Sequence, residues 1–432
     1  MLFGVAGDII TPCFRMPLAC ANNYVGDFEQ IHDDVYVRCL VIDDGKNKTV
    51  LMAFDLLFHD RCLNFELEAY AKEKYKVKES AFIVGSTHDH VSPASKGYSR
   101  IYARDEYELF LLERAKSCLD RAMCSMFEGT LEHTSFDAFF NISRRGYRKG
   151  VFGSFASPDS ERDTEFSLLV VKDLSENIRS VVMSYACHPV FYPSKISVSG
   201  EFPARVCQLV DAAFYGCTCL YFQSAGGDVR PAATVVDGDF AKPFGFDTID
   251  SFARLVADEV VARAKMPHKK EDLLISSDCF CKEFPMDPQS FEFFVAKVED
   301  AKQYGEGNII SVNAEYIVNE GGYEKLEKSL AVYCQTIKLS DELYIATISG
   351  EPTYQVKQIV TSCFDGKRVF FVGYTDSSTY IVSDFQLDEG GYEARDCHLE
   401  YRLIGPFKKG IDQKLVQGFT TSFKKLNDKK GE

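Results

Sequence analysis

At 432 residues, 46% of them hydrophobic, the chain can bury a large core. Its formal charge of −15 and pI near 5.1, with no concentrated Lys/Arg tract before the tail Lys424-Lys425…Lys429-Lys430, argue against nucleic acid or an anionic membrane as the main partner. No apolar run reaches the ~18 residues that span a bilayer, and the start Met1-Leu2-Phe3-Gly4-Val5-Ala6-Gly7-Asp8 lacks a basic leader segment, so a cytoplasmic protein is expected.

The elements alternate along the chain. Val35 to Ile42 and Thr49 to Phe54 read as strands flanking Asp43-Asp44-Gly45-Lys46-Asn47, where Asp-Gly accepts the positive φ of a tight turn. Gly45-Lys46 lacks the frame of a phosphate loop. A helix is predicted over Arg61 to Lys72, a buried strand at Ala81-Phe82-Ile83-Val84 and a second helix over Asp105 to Met126. Strands follow at Phe166 to Val171 and Val181 to Tyr185. A helix near Ala204 to Phe214 precedes the strand Cys217 to Phe222, and another covers Phe246 to Lys265. Residues 285–328 are polar and helix-like, an excursion from the main body. Strands at Tyr333 to Leu339, Leu343 to Ser349 and Arg368 to Gly373 resume the core. The pattern predicts one α/β domain over residues 1–432, with a mixed β-sheet core flanked by helices.

The fifteen cysteines are scattered in apolar settings, and an odd count without repeating spacing is a poor disulfide framework. The C-x-C pairs Cys217/Cys219 and Cys279/Cys281 are expected to be core.

Histidines supply the first chemical signal. Ser86-Thr87-His88-Asp89-His90 follows a buried strand, and imidazoles at i and i+2 project to the same side. A third, in Ser184-Tyr185-Ala186-Cys187-His188-Pro189, also closes an apolar strand. Sites in open α/β sheets form beyond strand ends, so these histidines suggest a zinc centre. Three further loops after strands carry suitable groups. They are Gln223-Ser224-Ala225-Gly226-Gly227-Asp228-Val229-Arg230-Pro231, Ser349-Gly350-Glu351-Pro352 and Gly373-Tyr374-Thr375-Asp376, the last leading to Tyr380 and Tyr392.

Together these motifs resemble the neutral ceramidase family. Thr87-His88-Asp89-His90…Pro93 is similar to its T-H-T-H-S-G-P segment, Asp8-Ile9-Ile10-Thr11-Pro12 to its opening D-I-T-P, and Asp34-Val35-Tyr36-Val37-Arg38 to its P-L-Y-A-R strand. Ala186-Cys187-His188-Pro189, Gly350-Glu351-Pro352 and Glu389-Gly390-Gly391-Tyr392-Glu393 match in the same order. The resemblance implies a zinc ion held by His88, His188, Glu351 and Tyr380. It places His90, Tyr392 and an arginine of Asn141-Ile142-Ser143-Arg144-Arg145, here Arg144, in catalytic roles. Gly227, Asp228 and Arg230 fall at the substrate. The implied reaction is hydrolysis of an amide or ester bond of a small-molecule or lipid-like substrate by metal-activated water.

Two departures bear on the substrate. Arg230 stands where ceramidases have serine, and brings a fixed cation and bidentate fork suited to a carboxylate or phosphate. The loop after Gly373 is one residue shorter, with Ser377-Ser378 where an aromatic is usual. The chain also ends soon after the last motif, so no C-terminal immunoglobulin-like domain is expected. Two alternatives remain open on the residues alone. An amidohydrolase-type barrel needs additional histidines at strand ends, for which His32, His59, His133, His268 and His398 are poorly placed. A non-catalytic ligand-binding relative would keep the pocket without the reaction.

Overall fold

A computed structural model describes residues 1–19, 26–96, 103–241, 243–301, 309–376 and 379–428. Ser377-Ser378, Lys429-Lys430 and the middle of the 285–328 excursion lie outside these residues.

The architecture is mixed α/β. Eight strands form one sheet in the order Thr218–Gln223, Ile178–Tyr185, Glu165–Asp173, Phe127–Asp137, Leu2–Ile9, Tyr36–Asp43, Lys48–Phe54 and Phe82–Ser86. The two outermost pairs are parallel and the inner pairings antiparallel. Parallel neighbours need a crossover. Helix Arg61–Tyr75 makes it at one edge and Glu201–Ala213 at the other. A second sheet has the order Ser276–Pro285, Ser329–Lys338, Leu343–Ile348 and Arg368–Val372, its last pair parallel and crossed over by helix Tyr354–Thr361. Ile83, Val182, Leu220 and Phe222 of the first sheet share a buried cluster with Ile345, Phe370 and Val372 of the second. The two sheets therefore pack face to face, and such strands read as continuous apolar runs because both faces are covered.

This packing fixes where the site must be. Each of the three parallel pairs sends its loops out at the same, carboxyl end, and backbone hydrogen bonds knit these loops together. Ser86 N–H donates to the Tyr374 carbonyl at 3.0 Å, Tyr374 N–H to Gly350 at 2.9 Å, Gly373 N–H to Gln223 at 2.8 Å and Gly227 N–H to Pro352 at 2.9 Å.

Several expectations need correction. Helix Glu201–Ala213 starts three residues before the predicted Ala204, because Pro203 falls in its first turn, where no N–H is required. Cys279 and Cys281 are exposed, not core; their strand lies at the sheet edge and turns Phe280 and Phe284 inward against helix Ile411–Asn427. The hairpin Asn141–Arg148 and Val151–Ser157, joined by Val229–Pro231 as a third strand, was not anticipated. The 285–328 segment carries helices Phe291–Ala301 and Ile309–Asn319, packed through Phe294, Ala314 and Ile317 onto Leu399. The described cysteines are free thiols, and no helix among the described residues is long and apolar enough to cross a membrane.

Candidate metal centre

His88 and His90 leave the edge strand Phe82–Ser86, and His188 leaves Ile178–Tyr185, next to the opposite edge of the same sheet. Gln223, at the end of a third strand, staples the two loops: its Nε2 donates to the Thr87 carbonyl at 3.0 Å and to Cys187 at 2.9 Å. The three imidazoles then converge. His188 Nε2 lies 3.1 Å from His88 Nε2 and 2.9 Å from His90 Nε2, with all three side chains buried. Glu351, fully buried, places Oε2 at 3.2 Å from His88 Nε2 and 3.8 Å from His188 Nδ1.

Proton bookkeeping decides what this cluster can hold. His88 Nδ1 faces the Leu57 carbonyl at 3.0 Å, and His188 Nδ1 faces the Gly226 carbonyl at 3.3 Å. A carbonyl only accepts, so each imidazole keeps its proton on Nδ1 and turns a lone pair on Nε2 toward the centre. Burial, followed by the neighbours His88, Arg144, His90 and Arg230, holds His188 well below the ordinary histidine range, so a second proton is disfavoured. Glu351 Oε2 accepts no hydrogen bond. Converging lone pairs beside an orphaned carboxylate oxygen repel one another unless a cation lies between them. The residues present therefore fit a divalent metal. Imidazole donors held at the far nitrogen by backbone carbonyls, with a carboxylate, are a donor set suited to zinc.

The surroundings are rigid. The rings of Tyr374 and Phe58 pack on His88 at 4.6 and 4.7 Å, and Tyr192 packs on His90 at 5.2 Å. His88, Tyr192 and Tyr374 all hold left-handed backbone, with φ of 67°, 52° and 57°. Such conformations cost on the order of 1 kcal/mol each and persist where the fold over-determines them. Tyr401 donates to Glu351 Oε1 at 2.5 Å, which aims the other oxygen at the histidines.

Arg144, Tyr380 and Tyr392 form an adjoining group. Tyr380 is register partner to Glu351 in a short parallel pair. Arg144 donates to the Gly227 carbonyl at 2.7 Å, pairs with Glu393 at 2.8 Å and hydrogen-bonds Tyr380, with its guanidinium 5.1 Å from the Tyr380 ring and 5.8 Å from that of Tyr392. Arg145 takes the other oxygen of Glu393 at 2.7 Å and extends to Glu389 and the Gly390 carbonyl. The Tyr392 hydroxyl donates to Glu400 at 2.8 Å.

The Gly226–Pro231 loop plays several parts. A Cβ on Gly227 would fall 2.7 Å from the Glu351 carbonyl oxygen, so only glycine admits this close approach. Asp228 is buried with both oxygens 3.2 Å from the Tyr354 N–H, satisfying the first turn of helix Tyr354–Thr361. Burial pushes its carboxyl up to about 7. Arg230 lies half-buried with its guanidinium 4.8 Å over Phe240.

No family model matches the chain, and no curated protein does. Solved structures do. The crystal structure of neutral ceramidase from Pseudomonas aeruginosa superposes with a TM-score of 0.73 at 15% identity, over 99% of this chain and 74% of that one. A ceramidase complexed with C2 gives 0.72 at 15% identity, over 99% and 75%. The fold is that of neutral ceramidase. Its strand ends carry His88, His90, His188 and Glu351 to one point. Tyr401 and Gln223, which aim Glu351 and staple the histidine loops, drew no role from the sequence. Tyr401 lies outside every motif, and Gln223 looked like the first residue of a glycine-rich turn.

Proposed function

We propose that this chain is a zinc-dependent hydrolase of linear amide, or ester, bonds built on the ceramidase fold, with a natural substrate other than ceramide. The carrying observation is the convergence of the buried His88, His90 and His188 Nε2 atoms with the orphaned Glu351 oxygen. The likeness of the fold to neutral ceramidase supports the amide class.

In this reading His88, His188 and Glu351 hold the cation, with Tyr380, paired in register to Glu351, as the fourth donor. Bound there, zinc acts as a Lewis acid and lowers the pKa of water toward ~7. His90 takes up the water proton and passes it to the departing amine. The C–N bond breaks, the acyl carbon gains the water oxygen, and the products are a carboxylic acid and an amine. Arg144, oriented by Gly227 and Glu393, donates toward the charge that develops on the carbonyl oxygen, and the Tyr392 hydroxyl becomes the second donor by turning from Glu400 to that oxygen.

The test is a panel of N-acyl amides and matched esters offered to zinc-loaded, chelated and reloaded protein. The reading predicts amide turnover that disappears on chelation and returns with zinc. Turnover indifferent to chelation, or none from fully loaded protein, would refute it; the second result would indicate a non-catalytic binding relative.

A further inference from the structure

Arg230 lies on the loop whose Gly226 carbonyl faces His188 Nδ1 at 3.3 Å, four residues further along the chain. Its strand, Val229–Pro231, pairs with the strand that carries Arg144, and its charge acts on His188, Arg144, Tyr192 and Tyr380. Stacking on Phe240 fixes the guanidinium plane at 4.8 Å. A guanidinium has five N–H donors and no acceptor, and removing it from water without a partner is costly. Among the described residues Arg230 has no carboxylate or carbonyl partner, and its Nε is fully buried and unsatisfied. The acids within electrostatic reach are already engaged. Glu393 is held by Arg144 at 2.8 Å and Arg145 at 2.7 Å, and Asp239 by Arg148 at 2.5 Å. Burial and the neighbouring Arg144 make the charged form less favourable than in water. Arg144 has its counter-charge in Glu393; Arg230 has none.

We infer that Arg230 is a specificity-determining residue that pairs with an anionic oxygen group, carboxylate or phosphate, on the substrate. The inference rests on the hydrolase reading for the orientation of that substrate, while the binding of the anion follows from the guanidinium alone. The substrate class is thus an amide that carries a carboxylate or phosphate, as N-acylated amino acids and N-acylated amino phosphates do. The planar guanidinium fork donates to two oxygens of one anionic group at once, which a neutral amino alcohol does not present.

Three probes with one acyl chain separate the possibilities: N-dodecanoylglycine, N-dodecanoyl phosphoethanolamine and neutral N-dodecanoylethanolamine. Their binding is measured by calorimetry on metal-free full-length protein, where nothing is turned over, and kcat/KM on zinc-loaded protein. Wild type should bind one anionic probe at least roughly 10-fold more tightly than the neutral one, and whichever anion binds better names the group. Arg230→Ser should lose roughly 10- to 100-fold for that anion and less than about 3-fold for the neutral probe, as expected for charge-assisted hydrogen bonds. Arg230→Lys should recover part of the loss by keeping the charge without the fork. Equal binding of charged and neutral probes by wild type, or equal losses in Arg230→Ser, would overturn the inference. Selective anion binding that Arg230→Ser abolishes, without cleavage of any probe, would sustain Arg230 and refute the hydrolase reading.

Discussion

Tyr401→Phe is the sharpest probe of how the carboxylate is held. The substitution removes one hydroxyl from a half-buried ring and leaves the ring itself, which packs on Tyr380 with centroids 6.0 Å apart. Its O–H···O contact to Glu351 Oε1, at 2.5 Å, falls in the short range of bonds to an ionised acceptor. Such bonds contribute about 1.5–3 kcal/mol. At 1.36 kcal/mol per tenfold, that corresponds to roughly a 10- to 100-fold loss of affinity for whatever Glu351 binds, which is also the usual penalty for deleting a partner behind a metal ligand. The assay is zinc titration against a competing chelator, with thermal denaturation of the metal-free protein as a folding control. Wild type and variant should share a metal-free Tm within a few degrees, while the zinc Kd rises by that factor. An unchanged Kd in a folded variant would show that Glu351 is not a ligand.

Three further outcomes follow from the geometry. Gly227→Ala forces a Cβ to within 2.7 Å of the Glu351 carbonyl and should cost about 1–3 kcal/mol of stability along with metal affinity, read by denaturant titration and chelator competition; a silent substitution would refute the close approach. Tyr392→Phe should lower kcat on the order of 10²–10³-fold with zinc retained, whereas Tyr380→Phe should weaken zinc binding, and the reverse pattern would exchange the two roles. Asp228 has a folded value near 7 against an ordinary 3.8, so the folded chain holds its proton the more tightly. Its contribution is complete below the ordinary value and is lost as pH rises through about 7. Asp228→Asn should therefore flatten the fall in Tm between about pH 4 and about pH 7, and parallel curves for the two proteins would contradict the assignment.

The three histidines and Glu351 were legible because they follow strands whose apolar runs announce themselves. Phe82–Ser86, Ile178–Tyr185 and Leu343–Ile348 are covered on both faces, so their composition alone marks them, and the polar residues just beyond each stand out. The hairpin that carries Arg144 was not legible as a pair of strands. Asn141-Ile142-Ser143-Arg144-Arg145 has no alternation, because its buried positions are filled by charges matched to Glu393 and by backbone contacts rather than by apolar side chains. Helix Ile411–Asn427 was missed for a related reason. Only a narrow stripe of it, Ile411, Leu415, Gly418, Phe419 and Ser422, is buried, and Gly418 is needed where the Phe280 ring passes within 2.2 Å of a would-be Cβ. Asp228 shows the opposite failing. A carboxylate in a glycine-rich loop looked like a substrate contact, yet its oxygens serve the start of the next helix.

The central claim is that strand ends bring His88 and His188 together around a divalent cation. Its most direct test is the zinc content of protein loaded with excess metal, desalted and measured by mass spectrometry, for wild type, His88→Ala and His188→Ala. The account predicts about one zinc per chain for wild type, and almost none for either variant, with circular dichroism unchanged. Full zinc retention by both folded variants would contradict it.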